Sequence, residues 1–133
     1  MTRVLIVDDQ PVFCRHLRQL LISAGLTVVG IANDIPQAER LVEKLQPDLA
    51  VVDVMLPGIN GLEGTRRLKA LAPALRVVLI SAFVDRAAML REAAVGVGAE
   101  GFVSKEDISL AVARSWIQND PRAPAAHREG QES

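Results

Sequence analysis

Four short apolar runs each end in residues able to do phosphate or metal chemistry. VLIV at 4–7 is followed by Asp8 and Asp9, LAVV at 49–52 by Asp53, VVLI at 77–80 by Ser81, and FV at 102–103, after Ser104, by Lys105. Carboxylates gathered at one place repel, which raises their proton affinity unless a cation joins them. Mg²⁺ suits such a group because it prefers oxygen ligands and uses few carboxylates alongside phosphate oxygens. A carboxylate is also able to attack phosphorus and form an acyl phosphate. That reaction needs a metal to neutralise the phosphoryl oxygens, a second cation, and a hydroxyl or amide for the remaining oxygen. Asp8 with Asp9, Lys105 and Ser81 supply these types in turn. Taken singly, each is as readily a polar strand terminus or a helix cap; it is their convergence that carries the reading.

The elements that must position them follow from periodicity. The runs at 4–7, 27–32, 49–52, 77–80 and 102–103 are too short for buried helices and read as strands. Between them lie helical patterns: Phe13, Leu17, Leu20 and Ala24 after Pro11, closed by Gly25; then Ile35, Ala38, Leu41, Val42 and Leu45, stopped by Pro47. Further helices are expected over about 62–72, 85–95 and 106–117. Strand and helix alternate five times, and the first four strands have few polar positions, as when helices cover both faces of a parallel sheet. The expected fold is α/β: a doubly wound, five-stranded parallel sheet of order 2-1-3-4-5, flanked by five helices and flavodoxin-like. In such a sheet ligands bind at the carboxyl ends of the strands, where the five polar residues fall; Asn33 and Asp34, ending the second strand, lie toward the sheet edge.

The chain has 133 residues, enough for one core, and its 15 basic and 16 acidic side chains leave a formal net charge of −1, which disfavours binding nucleic acid or anionic membrane through bulk charge. Cys14 is the only cysteine, so no disulfide forms within the chain, and no apolar stretch approaches the roughly 20 residues needed to span a bilayer. A soluble, cytoplasmic protein is expected. Residues 119–133 lack an apolar face and read as a flexible tail or the start of a linker.

The residues that carry the chemistry resemble the receiver domain of two-component response regulators. The similarity runs from about residue 2 to 118, so that 1–118 is read as the domain, and it rests on VLIVDDQP (4–11), LAVVDVMLPGINGLE (49–63), VVLISAF (77–83) and GFVSK (101–105). The resemblance implies that Asp53 accepts phosphate from a phosphohistidine on a histidine kinase or a histidine phosphotransfer protein. Asp8, Asp9, Asp53 and the backbone carbonyl of Met55 would hold Mg²⁺, Lys105 would contact the phosphoryl group, Ser81 would be the switch hydroxyl and Phe102 the switch aromatic. It implies no enzyme acting on an external substrate, only a phosphoacceptor domain that assists its own phosphorylation and dephosphorylation. It also implies a partner surface over the fourth helix, fifth strand and fifth helix that supports homodimerisation, and no direct contact of this chain with nucleic acid or membrane.

The sequence departs from the family's usual form in having Glu106, where many relatives have Pro, as in receivers of regulators with LuxR-type DNA-binding output. The interval from Ser81 to Lys105 is about two residues longer than usual, and Met55 and Phe83 are apolar where many relatives are polar. Two other functions compete: a receiver-like binding module that is never phosphorylated, disfavoured by the intact set of five, and a phosphatase with an Asp nucleophile. The second fails because haloacid-dehalogenase-like enzymes place two Asp two residues apart after strand one, whereas Asp8 and Asp9 are adjacent. GVGAEG at 96–101 has the letters of a dinucleotide fingerprint but follows a helix and precedes a strand, the reverse of what the mechanics require, and reads as a helix end and turn. Cys14 is read as an inert thiol, His16 as a helix-surface residue, His127 as part of the tail and Trp116 as packing for the last helix. Glu39, Arg40, Glu43 and Lys44 read as a solvated face with pairs inside one helix.

Overall fold

The structure, a computed structural model, describes residues 1–122. Strands β1 (Arg3–Val7), β2 (Thr27–Ala32), β3 (Leu49–Asp53), β4 (Arg76–Ser81) and β5 (Gly101–Ser104) alternate with helices α1 (Pro11–Ser23), α2 (Ile35–Leu45), α3 (Gly61–Leu71), α4 (Ala87–Gly96) and α5 (Leu110–Gln118). All strand pairs are parallel, in the order β2-β1-β3-β4-β5 that the alternation predicts. Side chains leave a strand to opposite faces in turn, and that period divides the core in two. Leu5, Val7, Ala50, Val52, Val77 and Leu79 pack under α2, α3 and α4. Val4, Ile6, Leu49, Val51, Val78 and Ile80 pack against α1 and α5, where Trp116 is buried. Because β1, β3 and β4 are central and covered on both sides, their runs have no room for polar residues until the strand ends.

The helices begin where a donor group needs a partner. Asp34 accepts from Gln37 N at 2.9 Å, Asn60 from Glu63 N at 2.9 Å and Ser109 from Val112 N at 3.2 Å, each satisfying a first-turn N–H. Pro11 starts α1, and Gly25, at φ +101°, turns the chain out of it. Two starts differ from the sequence reading. The fourth helix is preceded by a 3-10 turn at Val84–Arg86, and α5 begins at Leu110 rather than near 106, because Lys105–Asp107 form a second 3-10 turn and the cap is Ser109. The stretch GVGAEG closes α4 as expected: Ala99 N donates to Ala94 O at 3.0 Å, and Gly98 stands at φ +89°. Glu39 does not pair within its own helix; it reaches Arg67 of α3 at 2.7 Å.

At the amino ends of the strands the chain stays on the domain past Asn119. Thr2 Oγ1 donates to the buried Asp120 at 3.0 Å, and Arg122 reaches both Asp120 at 2.9 Å and Asp48 at 2.8 Å. Asp48 in turn accepts from Arg3 N at 2.8 Å. The rest of the expected tail, His127 included, lies outside the described residues. Among the described residues no helix is long and apolar enough to cross a membrane.

Candidate functional site

The parallel register sets the carboxyl ends of β1, β3, β4 and β5 side by side: Val7 pairs with Val52, Asp53 with Ile80, and Ser81 with Ser104. Asp8, Asp9, Asp53, Ser81 and Lys105 therefore share one rim, as the sequence predicts. Asp8 is fully buried; its Oδ1 accepts from Gln10 N at 2.8 Å, and its Oδ2 lies 2.7 Å from Lys105 Nζ. Apart from this ammonium, no donor among the described residues reaches Asp8 Oδ2, which is enclosed by protein. Asp53, 3% exposed, accepts from Met55 N at 3.0 Å and faces Lys105 Nζ at 3.1 Å. Asp9 is exposed on the solvent side.

The loop after Asp53 explains the glycines of its motif. Gly58 sits at φ +78°, a left-handed conformation that a side chain would strain. Gly61, the first residue of α3, comes so close to β3 that an added Cβ would lie 2.1 Å from the carbonyl oxygen of Asp53. Only a residue without Cβ lets α3 start directly against the strand that carries Asp53. The separation of the two glycines is thus fixed by one turn and one close approach.

Burial pushes the Asp53 carboxyl up to about 6 from an ordinary 3.8; the Met55 N–H and Lys105 oppose that rise, and Asp8 adds to it. Lys105 is pulled two ways: burial disfavours its charge, yet contact with Asp8 and Asp53 outweighs this and holds its pKa above the usual value. Cys14 donates Sγ–H to Asp8 O at 3.4 Å, and burial, with Asp8 beside it, pushes its thiol up to about 11, in keeping with an inert thiol. Ser81 is fully buried and accepts from Phe83 N at 3.1 Å. Phe102 is turned inward, 8% exposed among Leu90, Ala94 and Val97, with the Arg91 guanidinium 5.8 Å from its ring centroid. Met55 and Phe83 are exposed at 54% and 46%, which places two apolar side chains at the edge of the rim.

Asp8, Asp9 and Asp53 each bring an oxygen within 4.8 Å of the others. Three carboxylates that each offer one oxygen form an all-oxygen donor set, which fits a hard divalent cation such as Mg²⁺. Two residues at the rim escaped the sequence reading. Gln10 Oε1 accepts from Lys105 Nζ at 3.1 Å, and the Phe13 ring centroid lies 4.2 Å from the same nitrogen. Phe13 was legible only as one member of an apolar helix face, since nothing local indicates that a lysine more than ninety residues away would settle on its ring.

A five-stranded doubly wound sheet with an acidic rim faced by one lysine defines a class, and the comparisons give its family. The sequence model for the response regulator receiver domain matches residues 4–112, and the chain belongs to that family. It is 38% identical over 116 residues to the DNA-binding transcriptional activator DevR/DosR of Mycobacterium tuberculosis, covering 86% of this chain and 52% of that protein. It is 42% identical over 104 residues to a protein-glutamate methylesterase/protein-glutamine glutaminase of Myxococcus xanthus, covering 77% of this chain and 30% of that one. The chain thus spans about half, or less, of the length of these curated relatives. Among solved structures, a LuxR-family two-component response regulator from Aurantimonas sp. superposes with a TM-score of 0.79 at 27% identity, covering 100% of both chains. The response regulator domain of Thermotoga maritima CheB superposes at 0.76 and 29% identity, covering 92% of this chain and 96% of that one.

Proposed function

We propose that this domain is a signalling switch that takes a phosphoryl group on Asp53 from a phosphohistidine of a histidine kinase or histidine phosphotransfer protein. The observation that carries the reading is the setting of Asp53: a buried carboxylate at a strand end, with two more carboxylates on one side and an ammonium 3.1 Å away. Asp8, Asp9, Asp53 and the Met55 carbonyl would hold Mg²⁺, which when bound supplies charge neutralisation for the phosphoryl oxygens. An Asp53 oxygen attacks phosphorus, the phosphorus–nitrogen bond breaks, and its electron pair returns to the donor imidazole. Lys105 offsets the charge brought in by the phosphoryl oxygens. Ser81 has its own proton to donate and turns from Phe83 N to a phosphoryl oxygen. Water later attacks phosphorus and the bond to Asp53 breaks, restoring the carboxylate.

Ser81 closes β4 and Phe102 pairs beside β4 in β5, so a Ser81 that has turned from Phe83 N to the phosphoryl group biases the Phe102 ring and the surface of α4, β5 and α5. Met89 and Val95 are exposed on α4, and a second copy of the chain is the occupant proposed for this face. Incubation with acetyl phosphate and Mg²⁺ should add the mass of one phosphoryl group to the wild type and none to Asp53→Asn. Modification that persists in the Asn variant refutes the assignment.

A further inference from the structure

Lys105 carries a compact, strongly hydrated charge on a flexible four-carbon stem, and something must hold it in place once water is removed. Its side chain is only 10% exposed. Three oxygens receive its nitrogen: Asp8 Oδ2 at 2.7 Å, Asp53 Oδ2 at 3.1 Å and Gln10 Oε1 at 3.1 Å. A fourth side is the face of Phe13, with the ring centroid 4.2 Å from Nζ, where the ring quadrupole attracts a cation. Gln10 and Phe13 are three residues apart at the start of α1 and so share a face. The Gln10 backbone is held at both ends, its N–H donating to Asp8 Oδ1 at 2.8 Å and its carbonyl accepting from Cys14 N at 3.0 Å, and Phe13 follows in the first turn of α1. The amino end of α1 therefore presents an amide oxygen and an aromatic face toward Lys105.

We propose that Gln10 and Phe13 are positioning residues for Lys105: the amide and the ring face hold its ammonium over the rim between Asp8 and Asp53. The inference rests on the reading of Asp53 as phosphoacceptor for its consequence, though not for its geometry. When Asp53 carries a phosphoryl group, Lys105 must exchange a carboxylate contact for a phosphoryl oxygen. The Asp53 contact changes during that exchange, and the contacts to Gln10 and Phe13 are free to persist. A lysine so held meets the phosphoryl group without first being gathered in from solvent.

Phe13→Leu keeps an apolar side chain on the half-buried face of α1 and removes the ring; Phe13→Tyr restores a face. In the unmodified protein the ε-methylene and ammonium protons of Lys105 should resonate upfield of those of a free lysine, because they lie over the ring. That displacement should vanish in Phe13→Leu and return in Phe13→Tyr. Phosphorylation by acetyl phosphate with Mg²⁺ should slow about fivefold in the Leu variant and recover in the Tyr variant. Gln10 is exposed, so Gln10→Met leaves the core intact, and it should shift the Lys105 ammonium ¹⁵N signal. A wild-type Lys105 spectrum in Phe13→Leu, or a wild-type rate there, overturns the role of the ring, and an unchanged ammonium signal in Gln10→Met overturns that of the amide. A wild type that takes up no phosphate counts against the Asp53 reading instead, while the ring-current displacement, read without phosphate, still decides whether Phe13 holds the lysine.

Discussion

In the role proposed for it Asp53 has to be an anion, and the burial that shelters it works against that charge. An acid whose pKa rises from 3.8 to about 6 on folding binds its proton more tightly in the folded chain. Its contribution to stability is therefore fully present below pH 3.8 and lost as pH climbs through about 6. In metal-free protein, Asp53→Asn should melt higher than wild type at pH 7.5, by an amount on the order of 1 kcal/mol, and the margin should shrink toward pH 4. A margin that does not vary with pH would show that the carboxylate is not strained by its setting. Neutral pH thus keeps the Asp53 carboxylate charged at some expense in stability. The same residues show where sequence reasoning reaches its end: Asp8, Asp9, Asp53, Ser81 and Lys105 announce themselves by type and by place after an apolar run. Gln10 and Phe13 do not, because what sets them apart is a contact with Lys105 that exists only once the sheet has brought the carboxyl ends of β1 and β5 to one rim.

At the scale of elements, strands were legible because a central parallel strand must be apolar on both faces, and helices because one face repeats at their period. Starts were less legible. Glu106 and Asp107 look like the acidic first turn of a helix, yet α5 waits for Ser109, whose oxygen satisfies Val112 N. Which of two plausible caps is used depends on how β5 delivers the chain, information the local sequence does not hold. The loop from Asp53 to α3 is the element under the tightest constraint. Gly61→Ala would drive a methyl into the Asp53 carbonyl, a backbone atom that cannot rotate away. We expect a loss of about 1–3 kcal/mol in denaturant melts, as for other overpacked sites, together with displaced amide resonances at Asp53 and Met55. Wild-type stability in that variant would mean that α3 is able to slide outward without cost.

Across the whole molecule the acidic rim and the base behave as separate electrostatic regions. At the base, Arg122 and Thr2 hold the Asp120 carboxyl well below the usual carboxylate range, with Arg122 the larger cause. A depressed acid contributes stability above its unfolded pKa of 3.8 and loses it as pH falls toward the folded value. Asp120→Asn should therefore lower the melting temperature at pH 7, with the deficit closing below about pH 3. An equal deficit at all pH values would assign the effect to lost hydrogen-bond geometry rather than to charge.

Thr2 and Asp120 touch at 3.0 Å. In the vocabulary of modular construction, the domain has its inlet and outlet at a single corner, about 15 Å, one strand length, from the working edge. The entry to β1 and the segment that follows α5 share that mooring, so the two are tied together at the end of the sheet opposite the acidic rim.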